Sequence, residues 1–207
     1  TLTKHFEVSS LKGFGIDRLQ SGIVAAGVVL HYLGETEHRN LQHITSISRI
    51  EEDRYMWLDR FTIRNLELVH SNNDNAVTLF NILDHTCTPM GARLLRKWII
   101  MPLKELKPIQ ERVGMVEFFV HHDELQQEFL AHIKQIGDLE RLISKVGLQR
   151  VGPRELVQLK RALTHIEAIK HLAAESKNPF LIKIADQLNP CLAIRERIER
   201  ELQPEPP

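Results

Sequence analysis

The chain has 207 residues, 43% of them apolar, with 27 lysines and arginines balanced by 27 aspartates and glutamates. That is enough for a packed core in one large domain, or one domain with an appended piece. The zero net charge excludes a chain that acts as a whole as an electrostatic clamp on phosphates. The two cysteines, Cys87 and Cys191, are far apart and lack metal spacing, which argues against a disulfide framework and fits a reducing cytoplasm.

The most membrane-like stretch, GIVAAGVVLHYL at 22–33, is interrupted by His31 and reaches about half the length of a span. No membrane association and no signal peptide are expected. The chain begins with Thr1 rather than Met, so the natural N-terminus is expected upstream.

In chain order, residues 1–17 are mixed, with Gly13-Phe14-Gly15 as a tight connection. A helix is predicted over 19–33, where Ala25, Ala26 and Gly27 would let another element pack closely. Residues 44–59 (ITSISRIEEDRYMWLD) place β-branched and aromatic residues on both sides of Glu51-Glu52-Asp53, a hairpin pattern. Asp59 is a plausible N-cap for a helix over 61–70, and the Ser/Asn/Asp run 71–75 is a loop.

A short helix follows near 78–85. Thr88 then caps a helix whose first position is Pro89 and which ends before Pro102.

Leu106, Ile109, Val113, Val116 and Val120 recur at three- and four-residue spacing, the seam of a helix. His121-His122-Asp123 interrupts it, and Leu125, Phe129, Ile133 and Ile136 resume it. Gly137-Asp138 opens another helix, with Leu139, Leu142, Ile143 and Val146 inward. Gly152-Pro153 opens the longest, striped by Leu156, Leu159, Leu163, Ile166 and Ile169. If it reaches Glu175 it spans about 30 Å.

Helical segments continue past breaks at Asn178-Pro179 and Asn189-Pro190 to about Gln203, and the proline-rich tail frays. The fold class expected is mainly α: an antiparallel helical bundle with long lever-type helices and one small β-hairpin. Leu106, Val113, Leu156, Leu159 and Leu163 are expected in a core shared by the 153–175 helix and the 105–136 helices.

Little in the pattern points to chemistry. Gly22 and Gly27 have the glycine spacing of a phosphate-binding loop, but Val28 stands where that loop needs lysine, so they read as helix-packing positions. Among eleven histidines the densest cluster is His121-His122-Asp123-Glu124. Neighbours on a helix point about 100° apart and rarely converge on one ion, so no metal site is expected. Cys87 has His85 two residues away, but it lies just before a helix cap, and no catalytic or cofactor-binding residue is expected.

The remaining candidates are the cations Arg93, Arg96 and Lys97 on the 89–101 helix, with Lys104 beyond it. They form either a solvated strip whose aliphatic stems cover core edges or a strip that contacts phosphates. The lack of interleaved aromatics and the nearby acids favour the first, with Trp98 and Leu94 facing inward.

The same region carries a resemblance. LDRFTIRNLEL (58–68) and TLFNILDHTCTPMGARLLRKWIIMPL (78–103), then DLERL (138–142) and GPREL (152–156), resemble the start of the core domain of the MutS family of DNA mismatch-repair ATPases. The residues concerned are Leu58, Asp59, Thr62, Arg64-Asn65-Leu66-Glu67, Thr88-Pro89-Met90-Gly91 and Trp98. Upstream, GFG (13–15) and AAGVVLHYLGET (25–36) resemble the end of that family's connector domain.

The resemblance implies a division into 1–45, the connector's end, and 46–207, the first part of the core or lever domain, cut before the clamp insertion. The family's Phe-x-Glu mismatch reader, clamp and P-loop ATPase have no counterpart here. It implies a structural and allosteric core segment with no cofactor or catalysis of its own. Its parent would be a cytoplasmic dimer that binds mismatched duplex DNA, uses ATP and Mg and recruits MutL. The alone-standing piece is expected to be monomeric. The alternative is a free-standing helical module that binds duplex DNA non-specifically.

Overall fold

The computed structural model describes residues 1–36, 41–42, 44–49, 54–73 and 76–206. It is mainly helical and divides into two compact units. The first comprises Thr1–Glu51 with Lys145–Arg150, the second Glu52–Ser144 with Val151–Pro207.

The first unit holds α1 (Leu2–His5), a 3-10 turn (Leu11–Phe14) and α2 (Gln20–Glu35). Ser10 caps the turn by accepting from the Lys12 amide, and Gly15 leaves it at φ 67°, a left-handed conformation that costs glycine nothing. Leu2, Ile16 and Leu30 are buried among its described residues, and Phe6 packs on Phe14 with ring centroids 5.0 Å apart. Among the described residues the close packing expected at Gly27 is not seen: a Cβ placed there would meet nothing within 4 Å. Val24, Val28, Val29 and Tyr32 of α2 are exposed.

The second unit begins with α3 (Arg60–Asn65), α4 (Leu79–Leu83) and α5 (Pro89–Ile100). Asp59 caps α3 as expected, its Oδ1 accepting from the amides of Phe61 at 2.7 Å and Thr62 at 3.0 Å. The Thr62 hydroxyl, with these amides, holds the Asp59 carboxyl below the usual aspartate range. The helix stops at Asn65, five residues short of the expected end. Leu68 N donates to Ile63 O and Glu67 N to Arg64 O, with Glu67 left-handed at φ 49°. This is a Schellman stop built without glycine, so the usual sequence marker is missing.

The expected β-hairpin is not seen among the described residues, and its tip at 50–53 lies outside them. Instead Tyr55 forms an isolated antiparallel bridge with Leu103. Met56 N donates to Pro102 O at 2.7 Å and Lys104 N to Arg54 O at 3.1 Å. Among the described residues, the end of the β-prone run thus pairs with the exit of α5.

α6 (Leu106–His121), α7 (Asp123–Ile136), α8 (Leu139–Gly147), α9 (Pro153–Glu175), α10 (Pro179–Gln187) and α11 (Leu192–Glu201) follow. Between α7 and α8, Gly137 sits at φ 71°, ψ −146°, a region essentially closed to other residues. α9 is the longest helix, about 35 Å at 1.5 Å per residue. It packs against α7, α10 and α11.

One cluster joins Phe129 of α7, Ile169 and Ala173 of α9, and Leu181 and Ala185 of α10, with Met115, Phe118 and Phe119 of α6 against its edge. A second joins Leu159 and Leu163 to Ile198 of α11, with Leu139, Leu142 and Leu156 around them.

The expected shared core needs correction on its α6 side. Leu159 and Leu163 are buried, but Leu106 is 68% and Val113 59% exposed, and Val116 and Val120 are exposed too. α6 carries two apolar stripes, and it is Met115, Phe118 and Phe119 that pack inward. The Phe180 ring lies on this side too, 3.6 Å from where a Cβ at Gly114 would stand, an ordinary van der Waals contact. Spacing identifies a helix but does not choose between two apolar faces.

Candidate functional site

α5 begins as its sequence dictates. The Thr88 hydroxyl accepts from the Gly91 amide at 3.1 Å and Pro89 takes the first position. Just upstream, Asp84 accepts from the Thr86 amide and hydroxyl, which holds its carboxyl below the usual range. Cys87 is exposed between the two caps.

The three candidate cations on α5 have different surroundings. Arg93 is locked in a fork: Nη1 and Nη2 donate to the two carboxylate oxygens of Asp138 at 3.0 and 2.7 Å, and Nε and Nη2 reach Glu140 Oε2 at 2.8 and 2.6 Å. These bonds raise the Arg93 pKa, and the Arg93 guanidinium lowers that of Asp138. Asp138 also accepts from the Arg141 amide in the first turn of α8, so one carboxylate joins that turn to α5.

Arg96 is half-buried, its Nη2 2.7 Å from His70 Nε2 and its guanidinium carbon 5.7 Å from the Phe80 ring centre. Lys97 is exposed. The structure therefore does not converge the three on one surface point.

The apolar side of α5 also differs from expectation. Trp98 is 40% and Leu94 49% exposed, so neither is enclosed. Trp98 instead carries the Arg112 guanidinium of α6 on its face, 3.7 Å from the ring centre. Burial lowers the Arg112 pKa, with nearby Tyr55 acting in the opposite direction. The exposed apolar set extends to Met56, Trp57, Phe61, Leu66, Val77, Leu79, Ile82 and Leu83. This is far more apolar surface than isolated exposed residues supply.

At the α6–α7 break, His122 is tied to its own helix. His122 Nδ1 donates to Phe118 O at 2.7 Å, and its ring stacks on Phe118 at 4.1 Å. Among the described residues no three His, Cys, Asp or Glu side chains are grouped to hold a metal, and no helix is long and apolar enough to cross a membrane.

Two features escaped the sequence reading. Ion pairs Lys160–Glu199 and Glu167–Arg195 join α9 to α11 in opposite chain order, so the helices are antiparallel. His132 of α7 meets His165 of α9. Such pairs become visible only once it is known which helices lie side by side.

A family model described as MutS domain III matches residues 61–207. The chain belongs to the MutS family. It is 55% identical over 206 residues to the DNA mismatch repair protein MutS of Cytophaga hutchinsonii. The figures for the MutS proteins of Flavobacterium psychrophilum and Parabacteroides distasonis are 53% and 52%. Each match covers the whole chain but only 24% of the relative. The chain thus spans about a quarter of the length of these MutS relatives.

Proposed function

We propose that this segment is the mechanical core of a MutS mismatch-repair ATPase and has no catalysis or cofactor of its own. In this reading residues 1–45 are the connector's end and 46–207 the first part of the core. α9 is the lever of an antiparallel helical bundle, linking the mismatch-binding and clamp parts to the ATPase. The whole protein is a cytoplasmic dimer that binds ATP and Mg, engages mismatched duplex DNA and recruits MutL.

The observation that carries this is α9 itself: 23 residues without interruption, packed on α7, α10 and α11. A helix so supported moves as a unit, and coupling between distant sites needs such an element. The exposed apolar surface of α3–α5 suits a segment that other parts of a longer chain cover.

The test uses full-length protein carrying this segment, with two glycines substituted at exposed α9 positions Gln158 and Thr164. Mismatch binding and basal ATP hydrolysis are expected to persist, while the change in nucleotide turnover on mismatch binding shrinks. Intact coupling in a folded variant with a softened α9 refutes the lever role. For Arg93, Arg96 and Lys97 the expected role is scaffolding. Loss of mismatch preference on replacing all three, with folding intact, would overturn that.

A further inference from the structure

Two imidazoles meet end to end where α7 packs on α9. Nδ1 of His132 lies 3.0 Å from Nδ1 of His165, with ring centres 5.3 Å apart and ring planes tilted by 49°. Both rings are half-buried, one turn from Phe129 and Ile169 in the core cluster beside them. At this separation one Nδ1–H donates to the lone pair of the other ring.

Two neutral rings carry one proton each. The donor ring has its proton on Nδ1 and a lone pair on Nε2; the acceptor ring has its proton on Nε2 and offers Nδ1 to the bridge. A first added proton goes to Nε2 of the donor, and the bridge becomes charge-assisted and stronger. A second finds only the acceptor's Nδ1, where it sets N–H against N–H between two cations. The bridge cannot survive that step. Burial and the charge of His132 both hold the His165 pKa below its usual value, as a resisted second proton requires.

We propose that His132 and His165 are a proton-operated clasp between α7 and α9: closed in the neutral pair, tightened by a first added proton and opened by the second. Of the charged groups on these two helices and on those packed against them, Glu128 and Arg161 stand one turn from the pair. Glu167 of α9 and Arg195 of α11 are bound to each other. Glu111 and Arg112 come from α6, the latter lying on Trp98, and Lys183 and Asp186 of α10 are exposed. The charge that acts on His165 is that of His132.

Phe129, Ile169 and their apolar neighbours hold the two helices together whatever the state of the pair. Opening is therefore local: the rings turn away to water, and α9 loses one fastening near its middle. This inference does not rest on the role proposed above.

The test is NMR of the untagged chain with isotope-labelled imidazoles, titrated from neutral pH downward. A scalar coupling between the two Nδ1 atoms, carried across the bridge, is expected near neutral pH. The pair should take up its two protons in steps more than about one pK unit apart, and the coupling should vanish at the second. His132→Gln and His165→Gln should each leave the other histidine titrating in a single step, whereas a His121→Gln/His122→Gln double variant keeps both steps. Hydrogen exchange of the α9 amides around His165, corrected for the intrinsic effect of pH, should rise several-fold through the second step. An absent coupling, two independent titrations, or exchange that ignores the second step each overturns the clasp. The coupling is read in the unmodified chain, so the clasp can be refuted even where a variant misfolds.

Discussion

The helices around α9 and the stretch from α3 to α5 belong to one compact unit but are held in different ways. Around α9, apolar side chains from four helices enclose one another, and Ala173 has no exposed surface at all. From 54 to 104, order comes from polar local contacts: the Asp59 and Thr88 caps, the Schellman stop at Glu67 and the Arg64–Asn72 bond. The apolar residues of that stretch are left largely uncovered. The contrast teaches that caps and turns can specify a backbone without enclosing a core. Most of the free energy of folding therefore rests on the α9 side.

Phe129→Ala tests this most directly. It removes an aromatic ring from the first cluster and is expected to cost about 3–5 kcal/mol in urea unfolding. Trp98→Ala, on the other side of the contrast, should cost only about 1–2 kcal/mol, because the indole is 40% exposed and its main partner is Arg112. If the two losses come out equal, the distinction between the regions collapses.

Acid should act on the α9 side. His165 has a lowered pKa in the fold and about 6.5 when unfolded. Below that value the unfolded chain takes up a proton that the native chain resists. This part of the stability is therefore complete above about pH 6.5 and declines as pH falls toward the native pKa. His165→Gln should flatten the thermal midpoint against pH over that interval, and an unchanged slope rules His165 out as its source.

Arg93→Ala should produce a smaller loss that shrinks with added salt, since Arg93 and Glu140 are open to solvent. The smallest effect belongs to Val116→Thr on the exposed stripe of α6, within about 0.5 kcal/mol of zero. A loss of 2 kcal/mol or more (about the cost of a core truncation) would mean that this face is covered in solution.

Much of the fold was legible because prolines punctuate it. Thr88-Pro89, Gly152-Pro153 and Asn178-Pro179 each place a cap and a first helical position, and α5, α9 and α10 start there. The end of α3 was not legible, because a glutamate takes the left-handed position that glycine normally marks. The partner of Tyr55 was not legible because Leu103 lies far along the chain.

The inward side of α6 was ambiguous because both of its stripes are apolar. Of the candidate cations, sequence could place Arg93 on a helix face but could not reveal the acids that hold it, which come from the start of α8.

Ala162 and Ala173 are 1% and 0% exposed and eleven residues apart on α9. Eleven residues make about three turns, so the two methyl groups lie on nearly the same line, about 16 Å apart. Where only a methyl group intervenes, a neighbouring backbone can come closest. These are two low points on the helix surface that set its height above whatever lies beneath. A larger side chain at one of them would tip the helix; larger side chains at both would raise it evenly. A backbone that crosses α9 on this line can therefore come closest at its smallest side chains.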